Sequence, residues 1–223
     1  VAARVKRPIL SILVPAGPGD RAWRALWPGL PAGPEVERLL VLAAGDAMET
    51  PPDTRMLDAP AGRARQLNAG LRAARGTAIW ILHADSRPTP EALASALAFA
   101  QTQTDALGWF ALAFHDGPPQ MSLNALGANL RSRFFGMPFG DQGLIAPERV
   151  YSMLGGFDEA VGRGEDHAFV WAARRAGVPL RRLPGRVSTS ARRYVEHGWW
   201  RTTTEHLRLT WQQRRTFARR STR

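Results

Sequence analysis

Three short apolar runs, each broken off by loop-forming residues, constrain this chain more than any other feature. ILSILV (9–14) breaks into PAGPG, LLVL (39–42) into AAGD, and AIWIL (78–82) into HADSRP. Runs of four to six residues with no polar alternation suit strands buried on both faces. Helical patterns lie beside them. Residues 62–75 place Leu67 and Leu71 on one face and close at Gly76. Residues 90–102 are opened by Thr89-Pro90-Glu91, a cap, a proline at the first helical position and an acid in the first turn. The alternation predicts an α/β fold with a mostly parallel central sheet and helices on both faces. Ligands of such sheets lie beyond the carboxyl ends of the strands, where Pro15, Ala43 and Asp85 stand.

The second half is less regular. It predicts a strand at 107–114, a helix at 122–135, a glycine-punctuated loop at 136–143 and a short apolar run at 144–145. A turn at 155–159, a helix at 165–175 and a basic C-terminal helix at about 198–217 follow. In the last helix Trp200, Thr204, Leu207 and Trp211 share one face, expected to be core-facing. No repeat or linker divides the chain, so residues 1–223 are expected to form one domain.

The net charge is +11, but it is not spread evenly. From Arg174 onward there are 14 arginines against Glu196 and Glu205, so the first 173 residues sum to −1. Nucleic acid, an anionic membrane face and phosphorylated substrates are the partner classes such clustering admits. Cysteine is absent, which removes disulfides and thiolate metal sites. No apolar run approaches the roughly 18 residues of a membrane span, and residues 1–8 lack the apolar region of a signal peptide. A cytoplasmic protein is expected.

Asp85 stands four residues before the cap of the next helix, which therefore does not need it. With His83 it could hold a hard divalent ion, which takes oxygen ligands and often substrate phosphates. Glu165 and Asp166 open a helix after a glycine-rich loop, where an acid either complements the helix dipole or serves as a general base. Arg192 and Arg193 offer guanidinium forks that match phosphate oxygens. Gly17-Pro18-Gly19-Asp20-Arg21-Ala22 has dinucleotide-site spacing but lacks the acid such a site needs at the end of the second strand, and is read as a turn. A metal-holding Asp, an acid at a helix start and paired arginines together suit expulsion of a nucleoside diphosphate.

With these motifs in place, the sequence resembles glycosyltransferase family 2. GRARQLNAGLRAARGTAIWILHADSRP (62–88) is similar to that family's helix and D-x-D strand, and FGDQGL, GGFDE, GED and TSARR follow in order. The set is most like a short bacterial branch, the radical-SAM/selenodomain-associated transferase 2 group. The resemblance implies the GT-A fold, a Rossmann-like nucleotide-diphospho-sugar transferase architecture, and an inverting hexosyl or related glycosyl transfer. By resemblance Asp85, with His83, holds Mn2+ or Mg2+. Asp166 is the catalytic base with Glu165 beside it, and Arg192 and Arg193 face the diphosphate. Gly62, Arg63 and Asn68 lie along the nucleotide, Pro15 borders the base pocket, and Asp141 and Gln142 face the acceptor.

The implied partners are a nucleotide-sugar donor and a hydroxyl acceptor of unknown identity, which in many relatives is lipid-linked. No specific nucleic acid is expected. Contact with the inner face of the membrane through the basic C-terminal helix is compatible with the enzyme. Two departures concern the nucleobase: Pro18-Gly19 replaces the family's Asn-Glu, and Ala43 its strand-end Asp, with Asp20 and Asp46 nearby. They leave open a non-catalytic nucleotide- or sugar-binding relic. A basic binder of nucleic acid or membrane surfaces is the remaining alternative.

Overall fold

In the computed structural model the described residues are 7–46, 49–102 and 104–219; Trp211 and residues 213–219 are described by backbone alone. One eight-stranded sheet runs in the order β3-β2-β1-β4-β7-β6-β8-β5. Its strands are β1 (Leu10–Ala16), β2 (Val36–Ala43), β3 (Arg55–Ala59), β4 (Ala78–Ile81), β5 (Arg87–Pro88), β6 (Leu107–Phe114), β7 (Ile145–Pro147) and β8 (Leu180–Thr189). β1, β2, β3 and β4 are mutually parallel, as are β6 and β8. Short β7 runs antiparallel between β4 and β6, and β5 is antiparallel to β8. The expected mostly parallel α/β sheet is therefore present.

The helices are α1 (Trp23–Leu26), α2 (Arg63–Ala73), α3 (Pro90–Thr102), α4 (Met121–Phe135), α5 (Glu148–Met153), α6 (Glu165–Arg175), α7 (Arg192–His197) and α8 (Trp199–Arg219). They cover both faces. One core gathers Trp23, Trp27, Trp80, Phe99 and Phe110 around α1 and α3; the other gathers Leu13, Leu67, Tyr151, Phe157 and Phe169 under α2, α5 and α6. α2 lies so close to β1 that a Cβ on Gly70 would meet Leu13 Cδ1 at 2.1 Å. At its first turn the buried Gln66 amide donates to Ala16 O (2.6 Å) and Val41 O (3.0 Å), tying the ends of β1 and β2 together.

Two expectations need correction, and two strands had no expectation. β1 continues through Pro15, which pairs with Val41 instead of opening the loop. Pro15 has the parity of Leu13, whose carbonyl faces β4 by accepting from Leu82 N. β4 has ended by that point, so the missing proline donor breaks no ladder bond. β3 and β8 were not legible. β8 carries arginines and Pro184 and buries only part of its length, and its register with β6 shifts between Trp109 and Ala111. Finally, Trp200 is 75% and Leu207 57% exposed, so their stripe on α8 does not face the core; the Trp211 side chain lies outside the described residues. The end of α8 that does dock uses Thr202, buried, and Trp199, whose Nε1 donates to Asn124 Oδ1.

Candidate active site

Beyond β4 the chain turns sharply. Ser86 N donates to His83 O at 3.1 Å, and His83 N to Ser86 Oγ at 3.0 Å. This turn presents Asp85 to the end of β8, 104 residues away, where Thr189 Oγ1 donates to Oδ1 (3.1 Å) and Ser190 N to Oδ2 (3.4 Å). Asp116 accepts from Ala191 N and from Ser190 Oγ, which fixes the start of α7 and with it Arg192 and Arg193. His83 Nε2 is shielded from solvent with no hydrogen-bond partner among the described residues. Burial, and secondarily the charge of Arg63, hold its pKa well below the ordinary imidazole value. Burial thus favours the neutral ring, the form that ligates cations.

The two acids at the head of α6 face different ways. Gly164, at φ +86°, turns the chain into the helix. Asp166 Oδ2 then accepts from Gly140 N at 2.5 Å, and Oδ1 from its own neighbour His167 N at 2.8 Å. Glu165 instead points inward, 6% exposed, and binds Arg63 Nε at 2.8 Å. Burial first, then the adjacent Asp166 charge, raise its pKa. Glu165 therefore orients Arg63, and Asp166 is the acid left facing open space.

Asp141 and Gln142 also divide. Gln142 is fully buried: its Oε1 accepts from Ser132 Oγ (2.6 Å) and Phe139 N (3.2 Å), and its Nε2 donates to Phe110 O (3.2 Å). It fastens the 139–143 turn to α4 and β6 and does not reach an acceptor, contrary to the sequence-based expectation. Asp141 has a buried Oδ1 with no partner among the described residues, and burial pushes its carboxyl up to about 6. Arg131 stands nearby, its guanidinium 3.5 Å from the centroid of the Phe139 ring and its Nε donating to Met137 O.

A cavity of about 540 Å³ joins these groups. His83, Asp85, Asp141 and Asp166 form its polar side, with Arg192 and Arg193 at the head of α7. An apolar arm between α4 and α8 is lined by Leu112, Leu123, Ala128, Leu207 and Leu209. Six of the sequence-predicted site residues thus meet in one space. The others do not line it. Pro15 is buried in β1, Gly62 tops α2 at φ +128°, and Arg63 and Glu165 bind each other. Asn68 spans to the 155–159 turn, donating to Phe157 O and accepting from Phe157 N. Arg131, Arg163, Thr189, Tyr194 and His206 line the cavity and were not singled out. Only Thr189, inside the quoted TSARR, carried a signal.

The donor set suits a hard divalent ion only jointly with a substrate. No group of three or more His, Asp or Glu that could hold a metal occurs among the described residues. Asp85 and the unpartnered Nε2 of His83 would supply one or two protein ligands, and a diphosphate the rest, the usual arrangement for Mg2+-type sites. Beyond β1 and β2, Asp46 Oδ2 accepts from Gly19 N (3.0 Å), and its carboxylate pairs with Arg21 at 3.2 Å. The Arg21 hydrogen bonds, then that from Gly19, lower its pKa. The GPGDRA stretch contains a turn closed by Asp20 N donating to Gly17 O at 3.0 Å.

The family description "Glycosyl transferase family 2" matches residues 44–153, just under half of the chain. That span holds His83, Asp85 and Asp141 but not Asp166, Arg192 or Arg193. No curated protein matches the sequence. Among solved structures, the mannosyltransferase PcManGT from Pyrobaculum calidifontis, in complex with GDP-Man and Mn2+, is similar at 19% identity and TM-score 0.60, over 83% of this chain and 57% of that one. S. aureus TarS is similar at 16% identity and TM-score 0.57, over 82% of this chain and 35% of that one. TarS 1-349 in complex with UDP-GlcNAc gives 15% and 0.55, over 82% and 56%. This chain thus spans only about a third to under three fifths of these structures. Sheet order, two-faced helix cover and these likenesses together establish a GT-A fold, in which residues 44–153 match glycosyl transferase family 2.

Proposed function

We propose that this chain is an inverting, metal-dependent glycosyltransferase that moves a hexosyl or related group from a nucleotide-sugar donor to an acceptor hydroxyl. The observation that carries the reading is Asp166. It is anchored through Oδ2 by Gly140 N–H and lines the same cavity as Asp85, Arg192 and Arg193. GDP-Man and UDP-GlcNAc, bound by proteins of the same fold, make a nucleotide sugar the donor class of choice.

In the proposed step Asp166 accepts the proton of the acceptor hydroxyl. The acceptor oxygen attacks the anomeric carbon from the face opposite the diphosphate. The bond from that carbon to the phosphate oxygen breaks, and the nucleoside diphosphate leaves with the electron pair. Arg192 and Arg193 stabilise the charge that develops on it. Mn2+ or Mg2+, when held by Asp85 and His83, would supply further positive charge there. The apolar arm between α4 and α8 suits an amphiphilic, lipid-linked acceptor. We place the enzyme in the cytoplasm, with basic α8 at the inner face of the membrane.

A thermal-shift panel of nucleoside diphosphates and nucleotide sugars, with and without Mn2+, tests the reading, because a ligand of the folded state raises Tm. One nucleotide class should shift wild type in a Mn2+-dependent way and fail to shift Asp85→Ala. Asp166→Asn should keep that shift and lose sugar transfer by at least about a hundredfold. If no nucleotide shifts the wild type at millimolar concentration, the transferase reading fails and the non-catalytic relic takes its place.

A further inference from the structure

The apolar arm of the cavity opens beside a surface that the transfer chemistry does not explain. Helix α4 turns Met121, Ala128 and Ser132 to the interior. On the opposite side Leu123, Leu126, Leu130 and Phe134 are 61%, 54%, 45% and 68% exposed. Their spacing places all four within one narrow stripe, about 16 Å long. Phe135, 60% exposed, stands at the end of the helix about 100° round from Phe134 and is not part of the stripe. Single exposed leucines are ordinary, but a row of four large apolar side chains on one helix face marks a surface that meets something apolar.

Charge identifies what it meets. α4 contains no acid; of its two arginines, Arg131 turns into the cavity against Phe139, while exposed Arg133 lies beside the stripe, 5.7 Å from the centroid of the Phe134 ring. Asn124 of α4 accepts from Trp199 Nε1 and donates to Thr203 Oγ1, which docks α8 alongside. From Arg174 to the end of the chain arginines outnumber acids 14 to 2. Leu207 of α8, 57% exposed, lines the same cavity as Leu123. An apolar stripe flanked by arginine is the pattern of a helix lying in the headgroup region of an anionic bilayer. A second copy of this chain would instead bring two such arginine-rich surfaces together.

We propose that the outer face of α4 is an anionic-lipid-binding surface, with Leu123, Leu126, Leu130 and Phe134 entering the interface. This deepens the proposed seat of α8 at the membrane, and it places the mouth of the apolar arm at the lipid. Among the described residues no helix is long and apolar enough to cross a membrane, so the contact is one of lying on the surface.

The test is sedimentation of the full chain with vesicles of phosphatidylcholine alone or with phosphatidylglycerol. Binding should require phosphatidylglycerol, weaken several-fold in 0.5 M salt, and fall at least tenfold in Leu126→Glu/Leu130→Glu. The variant should keep the wild-type thermal shift with nucleotide, which separates failure of this surface from failure of the transferase reading. The chain has no cysteine, so Leu130→Cys takes a single environment-sensitive fluorophore. Its emission should move to the blue on adding anionic vesicles, even if the glutamate variant does not fold. No vesicle binding, binding unchanged by the glutamates, equal binding to neutral vesicles, or a label that stays in water would each overturn the proposal. So would a dimer in sedimentation equilibrium that the same glutamates dissolve in the absence of lipid.

Discussion

Gly140 donates its backbone N–H to Asp166 Oδ2 at 2.5 Å, and a Cβ on Gly140 would stand 2.8 Å from that oxygen and 3.0 Å from His83 Nε2. The glycine lets three distant segments, the end of β4, the 139–143 turn and the head of α6, converge without a side chain between them. The same N–H fixes the rotamer of the proposed base.

Gly140→Ala should therefore push Asp166 and His83 apart. Displacement of a reacting group by the order of 1 Å costs about a hundredfold in rate. Transfer should fall by about that factor while the nucleotide-dependent Tm shift persists. An alanine variant with wild-type turnover would remove Asp166 from the role of base.

Asp141 makes stability depend on pH. Its carboxyl is raised to about 6, so between the unfolded value near 3.8 and 6 the folded state binds more protons than the unfolded one. Stability from this group is full below the unfolded pKa and is lost as pH rises through the folded pKa. Asp141→Asn removes the buried charge. Relative to wild type, the variant should gain about 2–3 kcal/mol at pH 8 over its standing at pH 4. Urea unfolding at the two pH values measures the difference.

Gln142→Ala should be costly for a different reason. It removes the side-chain partner of Phe139 N and Phe110 O, and each unsatisfied group costs about 1–3 kcal/mol, while Ser132 Oγ keeps Ala128 O and Met137 O as acceptors. A loss of about 3 kcal/mol or more in urea denaturation is expected, with the 139–143 turn loosened. A loss below about 1 kcal/mol would show that the turn is held by other contacts.

Asn68→Ala tests a residue that resembles a nucleotide contact yet works through the fold. Its side chain bonds both backbone groups of Phe157, and a Cβ on Gly156 would meet its Oδ1 at 2.6 Å. The variant should lose about 1–3 kcal/mol of stability and leave the nucleotide-dependent Tm shift unchanged. Loss of that shift without loss of stability would restore Asn68 to the nucleotide.

Much of this was legible in the chain itself. β6 and α6 lie where apolar runs and caps place them, and α3 starts at Pro90 because Thr89-Pro90-Glu91 is a complete start signal. These are local matters: burial on both faces, φ preset by proline, an acid at a dipole's positive end. Asp85, His83 and Asp166 could be named because strand ends and helix starts are where α/β folds present chemistry. What tertiary structure alone decided was which neighbours share the work. Glu165 and Asp166 are adjacent and chemically alike, yet one is taken up by Arg63 and the other by Gly140 N–H. Asp141 lines the cavity and Gln142 locks the turn beneath it. Trp200 and Leu207 of α8 have core-like spacing but are more than half exposed, because Thr202 and Trp199 dock the helix on a different side. A period of 3.6 residues says which side chains stand together; which way they face depends on contacts with partners tens of residues away.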